Sequence, residues 1–93
     1  MATKRKLLFI ADPGHGWLKV NFRDLVALGI AGQVSHYSYL NNGYAYLEED
    51  CDAGLFVRAA KAAGWEIKYD DEYQDPTPIR NYPSYPTNLM AVL

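Results

Sequence analysis

Asp12 and His15 stand three positions apart in ADPGHGWLKV (11–20), near enough for a carboxylate to orient an imidazole in acid–base work. His36 and Cys51 add a second potential ligand and a potential nucleophile. No pair among these residues shows the close spacing of a zinc or iron motif, so no metal ligand is assigned. Cys51 falls near an expected helix start, which lowers a thiol pKa, but Glu48, Glu49, Asp50 and Asp52 surround it and oppose thiolate formation. PGHG is not a phosphate loop: the chain has no GxxxxGK[ST], and no GxGxxG opens a helix. Asp12 and His15 also occupy the corners of an expected turn, which is reason enough for their presence. No catalytic residue and no cofactor is assigned, and the enzyme reading reduces to one alternative, a small-molecule or metal site around Asp12, His15 and His36.

Short elements must hold these residues. KLLFIA (6–11) has the length of a buried strand. Asp12-Pro13-Gly14-His15 predicts a type II turn, proline setting its second position and glycine supplying positive φ at the third. WLKV (17–20) returns as a strand, with Leu18 and Val20 on one face and Trp17 and Lys19 on the other. Asn21 then caps a short helix, with Asp24 at the third helical position as a weak capping box. Val20 and Leu25 stand at staple spacing, Gly29 ends the helix and Ile30 closes it. CDAGLFVRAAKAAG (51–64) predicts a second helix, striped by Leu55, Phe56, Ala59, Ala60 and Ala63 and stopped by Gly64. WEIKYDDEY (65–73) alternates as a last strand, Trp65, Ile67 and Tyr69 on one side and Glu66, Lys68 and Asp70 on the other.

SHYSYLNNGYAYLEE (35–49) carries the strongest local signal, because Asn42-Gly43 is the favoured pair for a type I′ hairpin. The turn pairs Asn41 with Tyr44, Tyr39 with Tyr46 and Tyr37 with Glu48. Tyr37, Tyr39, Tyr44 and Tyr46 then share one face, and Ser38, Leu40, Ala45 and Leu47 the other. With the leucine–alanine face inward, four tyrosines form an outward contact platform. The competing reading packs the tyrosines beneath a helix or the tail.

The expected architecture is thus an α+β single domain in the order β-β-α-β-β-α-β, with a mainly antiparallel sheet over residues 1–75. Residues 76–93 form an extended tail, since DPTPIRNYPSYPTNLMAVL (75–93) holds four of the five prolines. Tyr82 and Tyr85 flank its Pro83 and Pro86. The apolar end, NLMAVL, needs burial, for which docking on its own domain and homodimer formation stand equally open.

Charge is segregated in a chain of net charge −2. Nine acids lie between Glu48 and Asp75 against three bases, whereas residues 1–47 carry five bases and two acids. Direct nucleic-acid binding is therefore not expected, and Lys4-Arg5-Lys6 reads as a solvated start. Glu48 and Glu49 serve a helix N-terminus, and Asp70 and Asp71 a solvated strand end, or both groups meet a basic partner surface.

Composition is ordinary for a globular chain of 93 residues, 49% hydrophobic and 22% charged, except for its eight tyrosines. A single cysteine excludes an intrachain disulfide and fits a reducing, cytoplasmic setting. No apolar run approaches the roughly 20 residues that span a bilayer, and LLFIA is too short for a signal peptide.

DPGHGWLKV (12–20) and YAYLEEDCDAGLF (44–56) resemble stretches of small proteins encoded by phages and prophages. The resemblance spans about residues 7 to 65 and leaves out the tail. It implies a phage accessory protein in the cytoplasm of a bacterial host, in a class that binds and blocks host machinery, including defence systems in the anti-CRISPR manner. It carries over no catalytic residue. The partner-binding candidates are Tyr37, Tyr39, Tyr44, Tyr46, Glu48, Glu49, Asp70, Asp71, Tyr82 and Tyr85, facing a host protein or complex and no membrane.

Overall fold

Lys4–Ala11 (β1) and Gly16–Asn21 (β2) form the first hairpin of a computed structural model that describes residues 3–86. Its loop differs from the expected type II turn, because Gly14 does not take positive φ. The Asp12 carboxylate organises the loop instead, accepting from the Gly14 and His15 amides at 2.9 and 2.7 Å. The Asp12 amide donates to the His15 carbonyl at 2.9 Å and closes it. Asp12 supplies the acceptor that a backbone turn would otherwise need. Gly16 is required by packing, since a Cβ there would lie 2.4 Å from the Phe9 ring.

Phe22–Ala27 (α1) follows, capped by the Asn21 side chain, which accepts from the Arg23 amide. Asp24 makes no capping box, because its buried carboxylate takes two hydrogen bonds from Arg5 at 2.8 and 3.0 Å. Gly29 has φ +73°, and the Gly29 and Ile30 amides bond back to the Val26 and Leu25 carbonyls. That is a Schellman ending, with Ile30 buried as its apolar contact. Ala53–Ala62 (α2) ends the same way, with Gly64 at φ +80° and its amide and that of Trp65 donating to the Lys61 and Ala60 carbonyls.

Tyr39–Asn41 (β3) and Tyr44–Glu48 (β4) form the second hairpin, and Glu66–Tyr73 (β5) the last strand. Asn42 and Gly43 have φ of 51° and 81°, as a type I′ turn demands, and Tyr39 pairs with Tyr46 and Asn41 with Tyr44. The element order is β-β-α-β-β-α-β, and the sheet order is β3-β4-β2-β1-β5. Only β1 and β5 run parallel. Among the described residues no helix is long and apolar enough to cross a membrane.

Both faces of the sheet carry buried residues, while β5 at its edge stays largely exposed. Leu7, Leu18, Val20, Ala45 and Leu47 meet Leu25, Phe56 and Ala60 of the two helices in the main core. On the opposite face, Ile10, Trp17 and Tyr46 are buried with Ile79, which sits in a 3-10 turn over Pro78–Asn81. From there the tail rounds the edge of β3. The Leu40 amide donates to the Pro83 carbonyl, and the Tyr85 amide to that of Ser38, at 2.9 and 2.8 Å. Tyr39 and Ser84 form an antiparallel bridge, so this stretch pairs with an edge strand that would otherwise be open. Tyr85 re-enters the main core on the helical side, and its hydroxyl donates to the Ala31 carbonyl. The described tail therefore docks on its own domain; NLMAVL (88–93) lies outside the described residues.

This wrapping corrects the outward tyrosine platform. Tyr46 faces away from the helices as expected, but it is buried under the Tyr82 ring, with centroids 5.1 Å apart. Tyr85 is buried as well, so neither is free for a partner. Tyr37 does not pair with Glu48 in a strand. The chain turns at Ser35–Ser38, where the Ser38 hydroxyl bonds Asp52 and accepts from the Glu48 amide, so β3 begins only at Tyr39.

Candidate functional site

Asp12 is the residue from which the site is built. Besides its own loop, its carboxylate accepts from Arg80 Nε and Nη2 at 2.7 and 3.0 Å. The Arg80 guanidinium holds the Asp12 carboxyl well below the usual carboxylate range, and Asp12 raises Arg80 in turn. The same guanidinium lies 5.4 Å above the Trp17 ring, a cation–π distance. The guanidinium also lies close to Gly14, where a Cβ would stand 3.3 Å from Arg80 Nη2. The Asp12 carboxylate is thus bound to Arg80 and to its own loop, and does not pair with the His15 imidazole.

His15 takes a different partner. Its Nδ1 lies 3.7 Å from Oε1 of Glu48, which β4 delivers beside Trp17 on β2. Glu48 is buried, not a solvated helix-start acid, and its other oxygen accepts from the Asp50 amide at 2.8 Å. Asp52 is not a side-chain cap of α2 either, because its buried carboxylate binds Ser35 and Ser38. Hydrogen bonding to Glu48 foremost, then desolvation and the charges of Glu48, Asp52 and Asp50, push the pKa of the exposed Cys51 thiol up. Cys51 is consequently a protonated thiol at neutral pH, the reverse of an activated nucleophile.

Together His15, Trp17, Tyr37, Tyr39, Glu48, Asp50, Cys51 and Arg80 line a cleft of about 300 Å³. Trp17 is 2% exposed and forms its floor against Tyr39, edge to face at 6.4 Å. Its indole N–H finds no acceptor among the described residues, so packing and the Arg80 guanidinium above it hold the ring. Tyr37 is 61% exposed and stacks on His36 at 4.4 Å, and His36 is not among the residues that line the cleft. Because Asp12 neutralises Arg80, Glu48 and Asp50 leave acidic groups among aromatic walls. Such a lining suits a cation. Among the described residues, no three His, Cys, Asp or Glu side chains are placed to hold a metal ion.

The remaining candidates scatter. Tyr44 is exposed at the far end of β4, under the ammonium of Lys19 at 4.3 Å. Glu49 is exposed, and Asp70 and Asp71 lie exposed on β5, where Asp70 pairs with Lys6 at 3.3 Å. Tyr82 is half-buried against Tyr46. The sequence analysis missed Trp17 and Arg80. The neighbouring prolines gave a reason to expect an extended tail, but nothing local marks Arg80 as the partner of an acid 68 residues away. Compared with family models, curated proteins and solved structures, the chain matches none of them.

Proposed function

We propose that this chain is a non-catalytic binding protein of the phage-accessory kind, which seats a basic segment of a host protein in the cleft of Trp17, Tyr37, Tyr39 and Glu48. The observation that carries this reading is the joint presence of three aromatic walls and two acids, Glu48 and Asp50, in one open cleft. A lysine or arginine side chain gains both cation–π and charge contacts there. The protonated Cys51 and the engaged Asp12 support binding over chemistry. The resemblance to phage and prophage proteins supports host machinery, including a defence complex, as the target. In the test, the immobilised chain captures protein from bacterial host lysate and mass spectrometry identifies it. We expect one stoichiometric partner, lost with Tyr37→Ala/Asp50→Lys while circular dichroism stays unchanged. Retention of that partner by the folded variant overturns the reading.

The 3.7 Å approach of His15 to Glu48 favours one second reading, an acid–base site for a small ligand. Native mass spectrometry of the purified chain separates the two. A bound small molecule lost in His15→Ala supports the ligand site; a bare mass together with partner capture supports the first reading.

A further inference from the structure

The antiparallel pairing of β1 with β2, and the parallel pairing of β1 with β5, collect cations that are scattered in sequence. Leu8 stands opposite Lys19, and Lys6 opposite Lys68, so the start of β1, the end of β2 and the start of β5 meet at one end of the sheet. Arg5, Lys6, Lys19 and Arg23 line one cleft there, and Lys4 and Lys68 line a neighbouring one with Glu66, which pairs with Lys4 at 3.7 Å. The His15–Glu48 cleft opens toward the other end of the sheet, and Trp17 in its lining stands two residues before Lys19 on β2.

The basic end is concave. Arg5, Lys6, Lys19, Asn21, Arg23, Asp24 and Tyr44 are the polar lining of a cleft of about 530 Å³, against about 300 Å³ for the acidic one. Its only acid, Asp24, is taken by both hydrogen bonds from Arg5. Lys6 shares its charge with Asp70 at 3.3 Å, an exposed and weak pairing. Lys19 and Arg23 have no carboxylate partner among the described residues. Lys19 is held instead above the rings of Tyr44 and Tyr46, at 4.3 and 5.9 Å. Arg5 is engaged in holding the buried Asp24, but crowding Lys19 and Arg23 beside it without counter-charges costs stability. A chain of net charge −2 thus carries a local surplus of positive charge beside an exposed tyrosine.

We propose that this basic cleft binds the phosphate of a nucleotide, free or within a nucleic-acid strand, with Lys19, Arg23 and Lys6 on the phosphate oxygens and Tyr44 against the base. Lysine and arginine supply the charge-assisted bonds that phosphate oxygens accept, and an exposed tyrosine ring is a stacking surface that tolerates any base. Cations that are spread along the chain are concentrated by the fold. This inference is independent of the cationic-segment reading at the opposite cleft.

Binding is measured by calorimetry and fluorescence anisotropy with three probes: ATP, a labelled dT 12-mer and inorganic phosphate. We expect ATP or the 12-mer to bind at 50 mM salt. For three neutralised phosphates, the 12-mer should weaken about 20-fold at 200 mM. Lys19→Ala/Arg23→Ala should weaken binding at least tenfold, while circular dichroism and partner capture at the other cleft stay unchanged. ATP alone identifies a free nucleotide, and the 12-mer alone identifies a strand. Absence of binding, binding of inorganic phosphate only, or undiminished binding by folded Lys19→Glu/Arg23→Glu overturns the proposal.

Discussion

Arg80 grips Asp12 with two hydrogen bonds of 2.7 and 3.0 Å, joining the tail to the loop of the first hairpin across 68 residues of chain. One carboxylate thereby performs two tasks, since it also accepts the Gly14 and His15 amides. The floor of the acidic cleft depends on this clamp, because Arg80 covers Trp17 and Ile79 is buried beside it.

Replacing Arg80 with alanine should therefore loosen the tail before it unfolds the domain. Limited proteolysis should cut near residues 80–86 faster in Arg80→Ala, while the helical circular dichroism is kept. The clamp also has a pH signature. The Asp12 pKa is depressed in the folded state, so its contribution is complete above the ordinary Asp range near pH 4 and is lost as pH falls further. Denaturant midpoints of the wild type should drop through this acid range, and those of Asp12→Asn should drop less.

Cys51 should react slowly with iodoacetamide at neutral pH although it is exposed, because its neighbours keep it protonated. Glu48→Gln removes the foremost cause and should speed alkylation and lower the pH at which it becomes fast. An unchanged rate profile would mean that Glu48 does not set the thiol pKa.

Tyr85 should be the last tyrosine to ionise. Burial foremost, with the charge of Asp52 second, pushes its pKa up to about 12. A raised folded value means that its contribution is whole below about pH 10 and lost as pH rises toward 12. Ultraviolet titration of Tyr85→Phe should lack this late step. Loss of the hydroxyl bond to Ala31 should cost about 1 kcal/mol, and Tyr85→Ala about 3–5 kcal/mol through the cavity left in the core.

Gly16→Ala should destabilise the first hairpin by about 1–3 kcal/mol, because the new methyl group meets the Phe9 ring and one of them must shift. Gly16→Ala/Phe9→Leu relieves the overlap and should recover part of the loss in thermal melts. Gly14→Ala is the informative contrast: its conflict is with a flexible guanidinium at 3.3 Å, so it should act on the tail clamp more than on the hairpin.

What the chain determines by itself is local. Asn42-Gly43 specifies its hairpin and register, Asn21 its cap, and Gly29 and Gly64 their helix ends, because each depends on backbone angles and bonds within about six residues. The strand and helix order follows from the same signals, and so does the direction in which the tyrosines of β4 face. Which tyrosines remain exposed does not follow, for that depends on Tyr82 and Tyr85 being carried around the sheet edge by the tail. The partners of Asp12, His15 and Asp52 were likewise out of reach, since each carboxylate or imidazole had several neighbours in sequence and chose one in space. The basic cleft is the clearest case. Arg5, Lys6, Lys19 and Arg23 line it only when the first hairpin and α1 are folded together, and Tyr44 joins them only because β4 pairs with β2, which is a property of the whole fold.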